Sequence, residues 1–167
     1  MSIWWSLHLR REAASVPFAR RLLLGTMETA GVDPDICHDL SVALSEACAN
    51  AVEHGGRSGF PGGHPGGGLG GTPEAGVADG TEAYHVTAYL DGDRCRIEVT
   101  DSGPGFPPSA VARTGSCAPR LAENGRGLHL IEQLSDHVRF RNRPGRGAVV
   151  SFDKTLKWRD DALLRVS

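Results

Sequence analysis

The segment Leu40 to Gly55, LSVALSEACANAVEHG, constrains this chain more than any other, because it reads as a helix with a nearly continuous apolar side. At about 100° per residue, Leu40, Leu44, Ala47 and Ala51 fall on one stripe, while Glu46, Asn50, Glu53 and His54 share a neighbouring arc. Such a helix has to bury its stripe against another layer, and it carries a carboxylate and an amide one turn apart beside that contact. Packing and chemistry are therefore expected on the same element.

The flanking pattern supplies the partner layer. Ile3 to Leu9 has the composition of a first strand, and Arg11 to Ala30 carries Val16, Ala19, Leu23 and Met27 near helical spacing. Gly31 is expected to end that helix, with Asp33 as N-cap and Pro34 as first residue of the next. Tyr84, Val86, Ala88 and Leu90 alternate with polar residues, Asp91-Gly92 marks a reversal, and Cys95, Ile97 and Val99 continue the alternation, which predicts an antiparallel hairpin. Gly127 to Leu134 reads as a helix, and Val138 to Arg141 and Ala148 to Leu156 read as strands around the turn Arg143-Pro144-Gly145. The predicted order is βααββαββ. It implies an α+β, two-layer sandwich with helices on one face of a mixed, mostly antiparallel sheet.

Length and composition narrow the function classes. A chain of 167 residues suits one domain, 1–167, and is short for a catalytic domain joined to a sensor or dimerisation stalk. A formal net charge of -2 with mixed signs offers no footprint for direct nucleic-acid binding, and no apolar run approaches the roughly 20 residues needed to span a membrane. The start, MSIWWSLHLRREAAS, resembles neither a secretory signal nor an anchor, so a cytoplasmic location is expected. Cys37, Cys48, Cys95 and Cys117 lack CxxC spacing and read as small buried hydrophobes, with neither zinc nor disulfides implied. Residues 55 to 80 hold twelve of the 22 glycines and no aliphatic pattern, which reads as a flexible surface insertion.

Two further motifs carry chemistry. DSGPG, Asp101 to Gly105, directly follows a predicted strand, and GRGLHLI, Gly125 to Ile131, places bare amides where a helix begins, a natural phosphate site. Together with SEACANAVEHG, in this order, they closely resemble the N, G1 and G2 boxes of the GHKL ATPase superfamily, across nearly the whole chain. The spelling of the first box and the FAR at Phe18 to Arg20 are most similar to the anti-sigma-factor serine kinases of the RsbW and SpoIIAB type.

The resemblance implies the Bergerat ATP-binding fold, with ATP and Mg²⁺ as cofactors. It implies Asn50 as the magnesium ligand, through the kind of neutral oxygen that Mg²⁺ prefers, and Glu46 as general base toward a serine hydroxyl. Asp101 would accept a hydrogen bond from the exocyclic amine of adenine, rejecting guanine, while Gly103 and Gly105 would shape the base of an ATP lid at about 106–124. Gly125, Arg126, Gly127 and Leu128 would line the phosphates, His54 would touch phosphate or lid, and Arg20 matches a position used for partner contact.

The implied activity is that of an anti-sigma factor which also transfers phosphate from Mg-ATP to a serine of an anti-anti-sigma (STAS-domain) protein. Relatives of this type are commonly homodimers. Two departures stand out. The lid lacks the threonine and lysine-rich spelling of some relatives, leaving Arg113 and Arg120 as candidates for γ-phosphate contact, and Gly147-Ala148 stands where the family often has Gly-Thr. Loss of that hydroxyl removes a hydrogen bond worth about 0.5 to 1.5 kcal/mol. These departures favour an alternative, an ATP-responsive regulatory binding module with little or no kinase activity. A histidine kinase fits less well, since only one helix separates the first strand from the motif helix.

Overall fold

The computed structural model describes residues 2–54, 83–101, 125–143 and 147–162, apart from the side chains of 54, 125–127 and 143. The predicted insertion at 55–80, the lid at 106–124 with Arg113 and Arg120, and Gly103 and Gly105 lie outside the described residues.

The elements follow the expected order: β1 (Ser2–Arg10), α1 (Ser15–Ala30), α2 (Pro34–His54), β2 (Ala83–Asp91), β3 (Arg94–Asp101), α3 (Gly125–Leu134), β4 (His137–Arg143) and β5 (Gly147–Thr155). Helix α1 begins four residues later than its periodicity suggested. Pro17 explains the shift, because a residue without an N–H is tolerated only in a first turn. Residues 11 to 14 instead form a tight turn in which Glu12 N–H donates to Arg10 O at 2.8 Å.

Gly31 ends α1 as expected. At φ 89° it lies in the left-handed region and donates its N–H to Met27 O and Glu28 O. Asp33 then starts α2, its Oδ1 accepting the Asp35 N–H at 2.9 Å and its carbonyl accepting the Cys37 N–H at 3.0 Å.

The five strands form one sheet in the order β1-β2-β3-β5-β4. Each neighbouring pair is antiparallel, so the sheet expected to be mostly antiparallel is antiparallel throughout its described strands. Period-two alternation sends Tyr84, Val86, Ala88 and Leu90 of β2 and Cys95, Ile97 and Val99 of β3 into the core. There they meet the α2 stripe, Leu40, Leu44, Ala47 and Ala51, and Ala19, Leu23 and Met27 of α1. Burying one leucine of this kind is worth about 1.5–3 kcal/mol, so the stripe fixes the rotation of α2 and with it the direction of Glu46 and Asn50.

Helix α2 is the hub of the helical layer, packing against α1, α3 and β3. Half-buried Lys154 on β5 fastens this arrangement by donating to Leu134 O at the end of α3 at 2.9 Å and pairing with Asp39 of α2 at 3.4 Å. The segment after β5 returns to the α1–α2 corner, where Asp33 N–H donates to Lys157 O and Arg159 N–H donates to Gly31 O.

Candidate functional site

Three elements in mutual register carry the candidate residues. Glu46 and Asn50 lie on α2, both half-buried, while the stripe beside them is buried. Glu53, on the same arc, is exposed, and His54 is the last residue of the helix. The Asn50 side-chain nitrogen is fully buried and has no hydrogen-bond partner among the described residues. A buried amide donor left unpaired costs about 1–3 kcal/mol, which an incoming acceptor would remove.

Asp101 ends β3, half-buried, and its Oδ1 accepts the backbone N–H of Ala148 at 3.2 Å. Gly147 makes that approach possible, since at φ 96° it has a backbone conformation that L side chains rarely adopt. The two positions singled out in the sequence, the carboxylate after the hairpin strand and the alanine replacing threonine, are thus direct partners. The carboxylate is held by the backbone amide of this position, a donor that does not depend on the missing hydroxyl.

Gly125, Arg126 and Gly127 form the first turn of α3 rather than preceding it. Their N–H groups therefore belong to the set that has no intrahelical acceptor at a helix start, and the positive end of the helix dipole adds to it. Leu128 is half-buried against the core beside buried Ile131. Because α2 contacts both β3 and α3, the Glu46–Asn50 arc, the Asp101 strand and this helix start belong to neighbouring elements.

Arg20 is elsewhere. It is exposed on α1 and, with Leu24, Glu28, His38 and Arg159, lines a cleft of about 290 Å³ toward the N-terminal half of α2. Asn50 lies in the last two turns of that helix.

Residues missed by sequence reasoning lie just beneath the site. Tyr84, 2% exposed, sits directly opposite Asp101 in the β2–β3 register, and its hydroxyl is 2.6 Å from Ser15 Oγ. Cys48, on α2 between Glu46 and Asn50, is fully buried, and that burial pushes its thiol up to about 12. The expectation that Cys37, Cys48 and Cys95 are buried and free holds. Tyr84 is the residue that sequence reasoning could have found. The signal was present in the hairpin pattern, which places a tyrosine at a core position where its hydroxyl requires a partner.

Residues 9–154 match the family model described as histidine kinase-like ATPase domain, a span that contains all three motif segments. The chain belongs to the histidine kinase-like ATPase domain family. Within this family it is similar to the serine-protein kinase RsbW of Bacillus licheniformis, 32% identical over 84% of this chain and 78% of that protein. RsbW of Bacillus subtilis is 31% identical over 85% of this chain and 86% of its own length. An anti-sigma F factor of Pasteuria penetrans is 27% identical over 77% of this chain and 75% of that protein.

This ATPase-domain chain accordingly falls in the serine-protein kinase branch of RsbW relatives. Its fold matches the crystal structure of the RsbU and RsbW domains of a Mycobacterium tuberculosis protein with a TM-score of 0.58 and 21% identity. That match covers 91% of this chain and 32% of the other. No described helix is long and apolar enough to cross a membrane.

Proposed function

We propose that this chain is an anti-sigma factor and protein serine kinase that sequesters a sigma factor and phosphorylates a serine of an anti-anti-sigma (STAS-domain) protein. The observation that carries the reading is Asn50, whose buried side-chain nitrogen lacks a partner among the described residues, one turn beyond half-buried Glu46. An amide there fits a bound cation and phosphate: its oxygen suits Mg²⁺ and its free N–H suits an anionic oxygen. Magnesium held by Asn50 would neutralise phosphate charge as the γ-phosphoryl group moves.

The remaining roles are those the family resemblance implies, and each residue's chemistry suits its role. Glu46 accepts the proton of the serine hydroxyl as the serine oxygen bonds to the γ-phosphorus and the bond from that phosphorus to the β–γ bridging oxygen breaks, releasing ADP. The first-turn amides at Gly125 to Gly127 hold phosphate oxygens, with Arg126 and Leu128 in the same turn. Asp101, fixed by the Ala148 amide, accepts the adenine amine. His54, Gly103 and Gly105 complete the phosphate and lid side. Arg20, on its separate cleft, is assigned to the protein partner. In this reading residues 1–167 form one cytoplasmic domain that works as a homodimer. Phosphate on the antagonist adds nearly two negative charges, enough to release it from a protein interface.

Ala148 favours the second reading, a nucleotide-responsive binding module without transfer. The two separate cleanly when Mg-ATP binding is measured by calorimetry and transfer from γ-labelled ATP is followed in the same preparation. Binding with label on a serine of a STAS-domain protein is the expected result. Binding without transfer would select the module, and no binding would overturn both.

A further inference from the structure

The junction between β1 and α1 grips α2 at one point and β2 at another. Arg11 Nε donates to Val52 O at 2.7 Å. Helix α2 ends at His54, so Val52 O is among the last carbonyls, which have no intrahelical donor. A guanidinium there both satisfies that carbonyl and complements the negative end of the helix dipole.

The second grip is a directed chain of hydrogen bonds. Ser15 Oγ gives its single proton to Glu12 O at 2.6 Å. The Tyr84 O–H, 2.6 Å from the same oxygen, must therefore donate to Ser15. Tyr84 lies on β2, so this relay ties the turn to the strand paired with β3. The relay from Tyr84 to Ser15 to Glu12 O runs in one direction, with both side chains buried.

Val52 stands two residues beyond Asn50, and Tyr84 stands opposite Asp101. One short turn, Arg11 to Ser15, is thus tied both to the helix segment that carries Asn50 and to the strand pair that carries Asp101. We propose that Arg11 and Tyr84 are positioning residues, and that the β1–α1 junction is a two-pronged clamp which holds Asn50 in place for magnesium and in register with Asp101. The inference rests on the reading of Asn50 as a magnesium ligand. Mg²⁺ demands near-ideal octahedral geometry, so a loosened clamp affects the metal before it affects the nucleotide alone.

The test is calorimetric titration of the full chain with ATP over a series of Mg²⁺ concentrations, for the unmodified protein and for Arg11→Met, Arg11→Lys and Tyr84→Phe. Amide hydrogen exchange across residues 52–54 is measured on the nucleotide-free proteins alongside. Arg11→Met is expected to raise the Mg²⁺ requirement about tenfold, in line with the loss of outer-shell support at metal sites. Its ATP affinity without Mg²⁺ should stay unchanged, and exchange in the last turn of α2 should quicken. Arg11→Lys, which restores a cationic donor, should recover most of both effects, and Tyr84→Phe should shift the Mg²⁺ requirement the same way.

A folded Arg11→Met protein with an unaltered Mg²⁺ requirement would overturn the clamp, as would equal losses with and without Mg²⁺. Should Arg11→Met fail to fold, Tyr84→Phe, which removes one oxygen, decides by the same readouts. ATP binding by the unmodified protein that ignores Mg²⁺ would instead defeat the reading of Asn50, and the clamp's role in metal binding with it.

Discussion

The Asp101 carboxylate accepts the amide hydrogen of Ala148 at 3.2 Å, across the β3–β5 pair. This contact orients an acceptor at the strand end where the adenine amine is expected. Asp101→Asn replaces one acceptor with a donor of the same shape. A lost hydrogen bond to a charged group is worth about 1.5–3 kcal/mol, so ATP affinity should fall by roughly ten- to a hundredfold. Ala148→Thr restores the hydroxyl and should tighten ATP binding by up to about tenfold. Competition titrations of ATP against GTP check both, since only the adenine nucleotide should respond strongly.

Glu46→Gln should leave Mg-ATP binding intact and abolish phosphate transfer to the serine, because the amide preserves the shape but cannot take a proton. Calorimetry and labelled transfer on the same sample provide the check. Transfer at the unmodified rate would remove Glu46 as the base.

Acid stability should depend on Asp136. The Thr155 N–H donates to its Oδ2 at 2.6 Å, and this bond holds the carboxyl below the usual carboxylate range. A carboxyl depressed in the folded state stabilises the protein fully above its unfolded pKa of about 3.9 and loses that contribution as pH falls through the lower folded value. Asp136→Asn should therefore be less stable than the unmodified protein at neutral pH, with the gap narrowing below about pH 4. Urea unfolding at a series of pH values measures the gap.

Gly31→Ala should destabilise the fold by more than about 1 kcal/mol, the scale of forcing a side chain into a left-handed conformation. The added methyl would also lie 2.6 Å from the Ala162 side chain, so the C-terminal segment has to move away. Gly25→Ala, where nothing lies within 4 Å of an added Cβ, is the control and should be neutral or mildly stabilising. Thermal unfolding distinguishes the two.

What the sequence made legible was largely local. The α2 stripe, the Gly31 stop, the Asp33-Pro34 start and the β2–β3 hairpin each rest on residues within a few positions of one another, and each appears as expected. The start of α1 did not, because Arg11 and Glu12 are good helix formers whose polar groups are used instead by the turn and by Val52. Pairing of Ser15 with Tyr84 and of Asp101 with Ala148 joins residues far apart in sequence, which periodicity cannot reveal. The alanine in particular read as a loss, since a sequence displays side chains and conceals the amide that does the holding. Glu46 and Asn50 were legible as a pair only because their neighbours on the helix were so apolar.

The strand order has a consequence for how the molecule comes into being. The pairs β2–β3 and β4–β5 are joined by short connections, whereas β3 meets β5 only after the chain has gone out through α3 and the edge strand β4. Closing that distant pairing carries a larger entropy cost than closing a hairpin, so it is expected late in folding. The Asp101–Ala148 contact exists only once it is closed. A refolding protein should regain its hairpins before it regains the power to discriminate adenine, and fluorescent-nucleotide capture in stopped flow should lag behind the recovery of strand signal. In a chain assembled this way, the capacity to recognise a nucleotide matures after the hairpins, once distant parts of the chain have met.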